Sequence, residues 1–126
     1  MDTFIIVKGS KLRRAGEVLA DCFAEIGNAH HRMQGQYPRF VYGMNNGTST
    51  LIKVGLASNP EQRLADLNQP GLRISWTVLG DSRLEHALHG LLFSCHHERE
   101  WFRLEGLADS LNGALSGQLQ HIRRTT

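Results

Sequence analysis

Two short apolar runs, Phe40–Met44 and Leu51–Gly55, flank the tripeptide Asn45-Asn46-Gly47. Asparagine and glycine tolerate the positive φ angles that tight hairpin turns demand, so this stretch predicts an antiparallel β-hairpin. A lone hairpin is marginal in water and needs more strands or a helix against one face. The residues that follow supply both. Ser58 with Glu61 can form a capping box, or Asn59 can cap with Pro60 at the first helical position. Either arrangement opens a short helix over 59–68 with Leu64 and Leu67 inward. Pro70-Gly71 marks a turn, and Ile74, Trp76 and Val78 alternate with Ser75 and Thr77 as in a half-buried strand over 74–79. Asp81 or Ser82 opens a second helix over 82–95, with Leu84, Leu88, Leu91 and Cys95 as its core stripe. The expected fold class is α+β, a small antiparallel sheet of about three strands flanked by helices, with an N-terminal helical extension.

The flanks read as helices. Ala15, Val18, Leu19, Cys22, Phe23 and Ile26 recur at helical spacing, with Arg14, Glu17, Asp21 and Glu25 on the other side. Ser10 suits the cap of this helix and Gly27-Asn28 its end. Residues 3 to 7 could form a strand before it, and residues 30 to 38 a polar connection after it. Trp101 to Leu104 could add a short strand, and Leu107, Leu111, Leu115, Leu119 and Ile122 line one face of a last helix. The expected division is an extension over 1–37, a domain over 38–110, and a C-terminal helix over 111–126 packed on that domain.

A chain of 126 residues, 40% hydrophobic and 21% charged, can bury a core without disulfide or metal staples. No apolar run approaches the ~20 residues that a membrane span needs, and no signal peptide is expected. The two cysteines, Cys22 and Cys95, lie far apart with no paired motif, which suits a reducing, cytoplasmic setting.

An ordered set of polar and aromatic residues runs through the predicted elements. Val41-Tyr42 stands in the first strand of the hairpin, Lys53-Val54-Gly55 ends the second, and Arg63 follows in the short helix. Glu85 and His89 lie in the next helix, and Glu100-Trp101-Phe102 closes the set. In this order the set resembles the GIY-YIG nuclease superfamily, in particular its phage and viral branch, where the second motif reads Lys-Ile-Gly and the domain ends near Glu-Trp-Phe. The resemblance implies a metal-dependent endonuclease acting on DNA in preference to RNA, in a phage or mobile-element setting. It implies that Tyr42 acts on or orients the attacking water, that Arg63 steadies the scissile phosphate, and that Glu85 holds one divalent metal ion. Lys53 stands where the second motif has tyrosine, Phe40 and Val41 stand where the first has glycine and isoleucine, and Leu67 replaces a histidine that many members carry.

The chemistry can also be read from the residues themselves. Phosphodiester hydrolysis needs a nucleophilic water, charge neutralisation at the phosphate, and help for the leaving oxygen. Tyr42 and Lys53, from adjacent strands, share a sheet face if the register allows, and Lys53 in a partly buried site could serve as a base. Arg63 offers a planar, permanently charged fork for phosphate. Glu85 and His89 are neighbours on one helical face, although Glu85, three residues after Ser82, could equally be a capping-box glutamate. A carboxylate completed mostly by water favours Mg²⁺ or Mn²⁺. Outside this set, Lys8, Lys11, Arg13 and Arg14 form a basic cluster that could contact phosphates, in a chain of net charge only +2. The alternatives are a catalytically weakened module of the same fold that grips nucleic acid without cutting, and a protein-interaction module whose N-terminal helix could form a homodimer.

Overall fold

The computed structural model describes residues 10–32 and 39–125. Its elements run α1 (Ser10–Arg32), β1 (Phe40–Asn46), β2 (Leu51–Ala57), α2 (Pro60–Leu67), β3 (Leu72–Leu79), α3 (Ser82–Leu91), a 3₁₀ turn (Phe93–Cys95), β4 (His96–Glu98), β5 (Trp101–Arg103) and α4 (Leu107–Thr125). The hairpin forms as expected, but its turn works differently. Neither Asn45, Asn46 nor Gly47 adopts positive φ. Instead the Asn46 side chain accepts hydrogen bonds from the Thr48 amide and hydroxyl, and the Asn46 carbonyl accepts from the Ser49 amide. A short polar side chain thus folds the backbone where sterically permissive residues were expected to do so. The Asn46 amide also donates to the Pro70 carbonyl, tying the turn to the start of β3.

Five antiparallel strands make the sheet, in the order β3-β1-β2-β5-β4, rather than about three. One face carries Val41, Ile52, Val54, Trp76, Val78 and Phe102, and packs on Leu19 and Ile26 of α1, Leu84 and Leu88 of α3, and Leu111 and Leu115 of α4. The other face carries Tyr42, Met44, Leu72 and Ile74, covered in part by Leu64 and Leu67 of α2. Simple alternation along β3 would put Ile74 and Trp76 on the same face. A register shift opposite Gly43/Met44 separates them, pairing Gly43 with Trp76 and Met44 with Ile74. Gly43 lets the Trp76 indole approach the β1 backbone closely, because a Cβ there would collide with the ring. The indole nitrogen donates to Asn112 of α4 at 2.7 Å. Gly43→Ala is therefore expected to cost about 1–3 kcal/mol, the usual range for overpacking a tight core; an unchanged denaturation midpoint would show that the indole can move aside.

The helices follow their capping chemistry more closely than their expected lengths. Asn59 caps α2, accepting from the Gln62 amide with Pro60 in the first turn, so the second of the two expected starts is realised. Asn68 ends it in the left-handed region. Asp81 caps α3, which stops at Leu91 instead of running to Cys95. The 3₁₀ turn takes over there, and His96–Glu98 pairs with Trp101–Arg103. The α1 helix runs on through Gly27-Asn28 to Arg32. One helical glycine costs only about 1 kcal/mol, which the buried Ala15, Leu19 and Ile26 offset. The expected strand at residues 3 to 7 lies outside the described residues. No helix among the described residues is long and apolar enough to cross a membrane.

Candidate functional site

The hairpin register pairs Tyr42 with Gly55 and Met44 with Lys53. Tyr42 and Lys53 therefore stand diagonally on the same face. Gly55 leaves a gap that the Tyr42 phenol fills: a Cβ at Gly55 would strike the phenol oxygen and its ring carbon, and would lie 2.9 Å from the Glu100 carboxylate. The Val54 amide donates to the Glu100 carbonyl at 2.9 Å, which anchors Glu100 at the start of β5. From there its carboxylate lies 3.2 Å from the Lys53 ammonium, and the same ammonium sits 5.4 Å from the centre of the Trp101 ring. Lys53 is 8% exposed, the one buried charged side chain among the described residues. From α2 the exposed Arg63 guanidinium donates to the Tyr42 hydroxyl.

The α3 helix closes the group. Because Asp81 is the cap, with its side chain accepting from the Arg83 amide, Glu85 sits one position beyond the capping-box site. Its side chain is free for another role. It is only 13% exposed, 4.0 Å from the His89 imidazole, and hydrogen-bonded to Glu100. The His89 Nε2 lies 2.8 Å from the Val54 carbonyl. A carbonyl can only accept, so Nε2 carries a proton there and the ring orientation is fixed. The ring also packs 5.1 Å from Phe102.

These groups perturb one another in a consistent way. Burial pushes the Tyr42 hydroxyl above its ordinary range, and Glu100 and Glu85 add to the rise while Arg63 opposes it. Tyr42 raises Arg63 further above its already high value. Burial is also the main reason the Glu85 carboxyl titrates above the ordinary glutamate value, with the Glu100 charge and hydrogen bond adding to it and His89 opposing.

Tyr42, Lys53, Arg63, Glu85 and His89 thus meet at one end of the sheet. Glu100, which reaches Lys53 and Glu85, joins them as a site residue although the sequence offers it only as part of a closing motif. Its proximity depends on β5 pairing with β2, which no local pattern announces. Of the basic cluster, only Arg14 has a described side chain, and it is not part of this group. Arg14 is exposed on α1, which packs on α3 and α4 behind the other face. Lys11 and Arg13 belong to the same helix, and Lys8 lies outside the described residues. The donor set fits a hard divalent cation only through carboxylates. Among the described residues no three His, Cys, Asp or Glu side chains are grouped to hold a metal. Glu85 and Glu100 would therefore supply the protein oxygens and water the rest, as Mg²⁺ accepts.

Fold and cluster together define a small α+β domain with one mixed-charge site where strands of its sheet and two helices meet. The chain belongs to the T5orf172 domain family, whose profile matches residues 39–124. This corrects the GIY-YIG resemblance: T5orf172 is a different family, and nothing else supports GIY-YIG membership. Each of the short motifs that suggested it is weak alone, and the first two depart from the GIY-YIG pattern at Phe40, Val41 and Lys53. The T5orf172 domain is a nuclease-like or DNA-binding type of domain. No curated protein and no solved structure matches the chain.

Proposed function

We propose that the chain is an endonuclease that hydrolyses phosphodiester bonds, in DNA in preference to RNA, with one Mg²⁺ or Mn²⁺ ion. The observation that carries this reading is the meeting of a phenol, a guanidinium, an ammonium and two carboxyls drawn from β1, α2, β2, α3 and the start of β5. An ion pair of a buried lysine with a partly exposed glutamate contributes little to stability for the charge it desolvates, so packing alone gives no reason for Lys53 and Glu100 to be there. In the proposed reaction Arg63 turns from Tyr42 to the phosphate, where its fork neutralises the non-bridging oxygens. The freed Tyr42 hydroxyl, protonated at neutral pH, orients the attacking water and does not act as a strong base. Water oxygen bonds to phosphorus as the ester P–O bond breaks; the water gives up its proton to solvent, the leaving oxygen takes one from solvent, and the Lys53 side chain steadies the charge that develops. Glu85, with Glu100, would hold the divalent ion, which supplies charge neutralisation and a more acidic water. Lys8, Lys11, Arg13 and Arg14 would add phosphate contacts.

A module that binds without cutting is the second reading. The observation favouring it is that Lys53 and Glu100 already occupy each other in an ion pair. Incubation with supercoiled plasmid and with single-stranded oligonucleotide, in Mg²⁺, Mn²⁺ or EDTA, separates the two. Cleavage in either metal and none in EDTA is expected. Arg63→Ala should lower cleavage by at least about tenfold and reduce the salt slope of binding by about one phosphate contact. Retained binding with no cleavage in any metal would select the second reading.

A further inference from the structure

Among the described residues the exposed large hydrophobics are Val18, at 37%, and Phe93, at 77%. Phe93 is not on a loose end. Leu92 before it and Cys95 after it are buried, and the Cys95 amide donates to the Leu92 carbonyl at 2.8 Å. The Arg103 guanidinium donates to the carbonyls of Ser94 and His96, clamping the turn to β5. The phenyl ring is thus held out into solvent by a rigid frame.

What precedes it on α3 is equally specific. His86 and Gly90, four apart, share one side of α3, and Phe93 follows Gly90 by three residues in the 3₁₀ turn that continues from the helix end. A Cβ at Gly90 would meet nothing within 4 Å, so packing does not require glycine there, and glycine weakens a helix. His86 is exposed, and its charge acts on Glu85, the next residue and a member of the site. The ridge His86–Gly90–Phe93 therefore begins one residue from Glu85 and runs along α3 into the 3₁₀ turn that follows it. It offers a floor without a side chain between two ring-bearing residues. A flat ring fits that shape, and a rigidly displayed aromatic side chain offers it a stacking face.

We propose that this ridge takes an unpaired base of the nucleic-acid strand whose phosphate lies at Tyr42 and Arg63, so that the substrate class is single-stranded or locally unpaired nucleic acid. The proposal rests on the site reading above. Stacking is sequence-tolerant because every base has a π-face, so no base preference is expected.

Binding in EDTA tests the ridge without cleavage, using a fluorescein-labelled single-stranded oligonucleotide and its blunt duplex. Phe93→Ala should weaken single-strand binding about tenfold and leave duplex binding within about twofold, and Phe93→Trp should restore the former. Gly90→Ala should raise the melting temperature by a few degrees, as expected of alanine in a helix, yet weaken single-strand binding. Unchanged single-strand affinity in Phe93→Ala overturns the proposal, as does failure of the unaltered chain to bind the single strand. Arg63→Ala separates the two readings. If it leaves both affinities intact while Phe93→Ala weakens the single strand, the phosphate site is misplaced and the ridge stands. If Arg63→Ala weakens both and Phe93→Ala weakens neither, the phosphate site stands and the ridge fails.

Discussion

Glu85→Gln should lower metal-dependent cleavage by about 10²- to 10³-fold, the size of loss on removing one preorganised charge-stabilising group, while making the folded protein more stable at neutral pH. The two effects have the same origin. Burial, helped by Glu100, holds the Glu85 carboxyl above its ordinary value in the folded chain. The folded state therefore binds that proton more tightly than the unfolded state does. The stability linked to the proton is fully present below the ordinary glutamate value and is lost as pH rises from there through the raised folded value. At neutral pH the ionised Glu85 is a net cost, and glutamine keeps the shape without the charge. The variant should melt higher than the parent near pH 7.5, and the gap should close below about pH 4, where both chains are neutral at that position. Melting curves across that range, beside a cleavage assay in Mg²⁺, read both effects. A variant that cuts normally removes Glu85 from the site; one that melts lower at neutral pH makes it a structural carboxylate.

The second large effect is expected at Gly55. A methyl group there falls on the Tyr42 phenol and crowds Glu100, and Tyr42 is 1% exposed, with no free space to retreat into. Gly55→Ala should cost about 1–3 kcal/mol, a drop in melting temperature of several degrees for a domain of this size. It should also abolish cleavage, because it displaces two site residues together. Adding Tyr42→Phe removes one colliding atom. The double variant should recover part of the stability, a non-additivity expected of touching residues, but none of the activity. A single variant that melts and cuts like the parent would show that Tyr42 does not lie over Gly55.

Much of this architecture was legible in the sequence because it is local. The hairpin, the Asn59-Pro60 start of α2 and the leucine stripe of α3 each depend on residues a few positions apart. For Tyr42 and Lys53 the sequence offers one face only on condition of the register, and the pairing of Met44 with Lys53 supplies it. The parts that escaped depend on distant partners or lack a pattern. His96-His97-Glu98 has no apolar alternation, all three residues are exposed, and only pairing with β5 makes them a strand. The shift in β3 shows in the register with β1, not in the alternation of Ile74, Trp76 and Val78. Glu100 joins the site only because β5 docks on β2. The family was misread for a related reason: short motifs in the right order are compatible with more than one family, and only the profile over residues 39–124 separates them.

The order of the strands also bears on when the site comes into being. The hairpin of β1 and β2 occupies the middle of the sheet, with β3 added on one side and β5 on the other. A ribosome delivers the chain from its N-terminus, so Tyr42, Lys53 and Arg63 emerge together and can assemble from contacts close in sequence. Glu85 comes later, and Glu100 arrives last, from a strand that must reach back across α2, β3 and α3 to its place beside β2. A half-made or truncated chain thus has groups able to grip a phosphate but not the carboxylate pair. On the proposed activity, an unfinished molecule could hold nucleic acid and not cut it, and the capacity to cut would appear only when the sheet is complete.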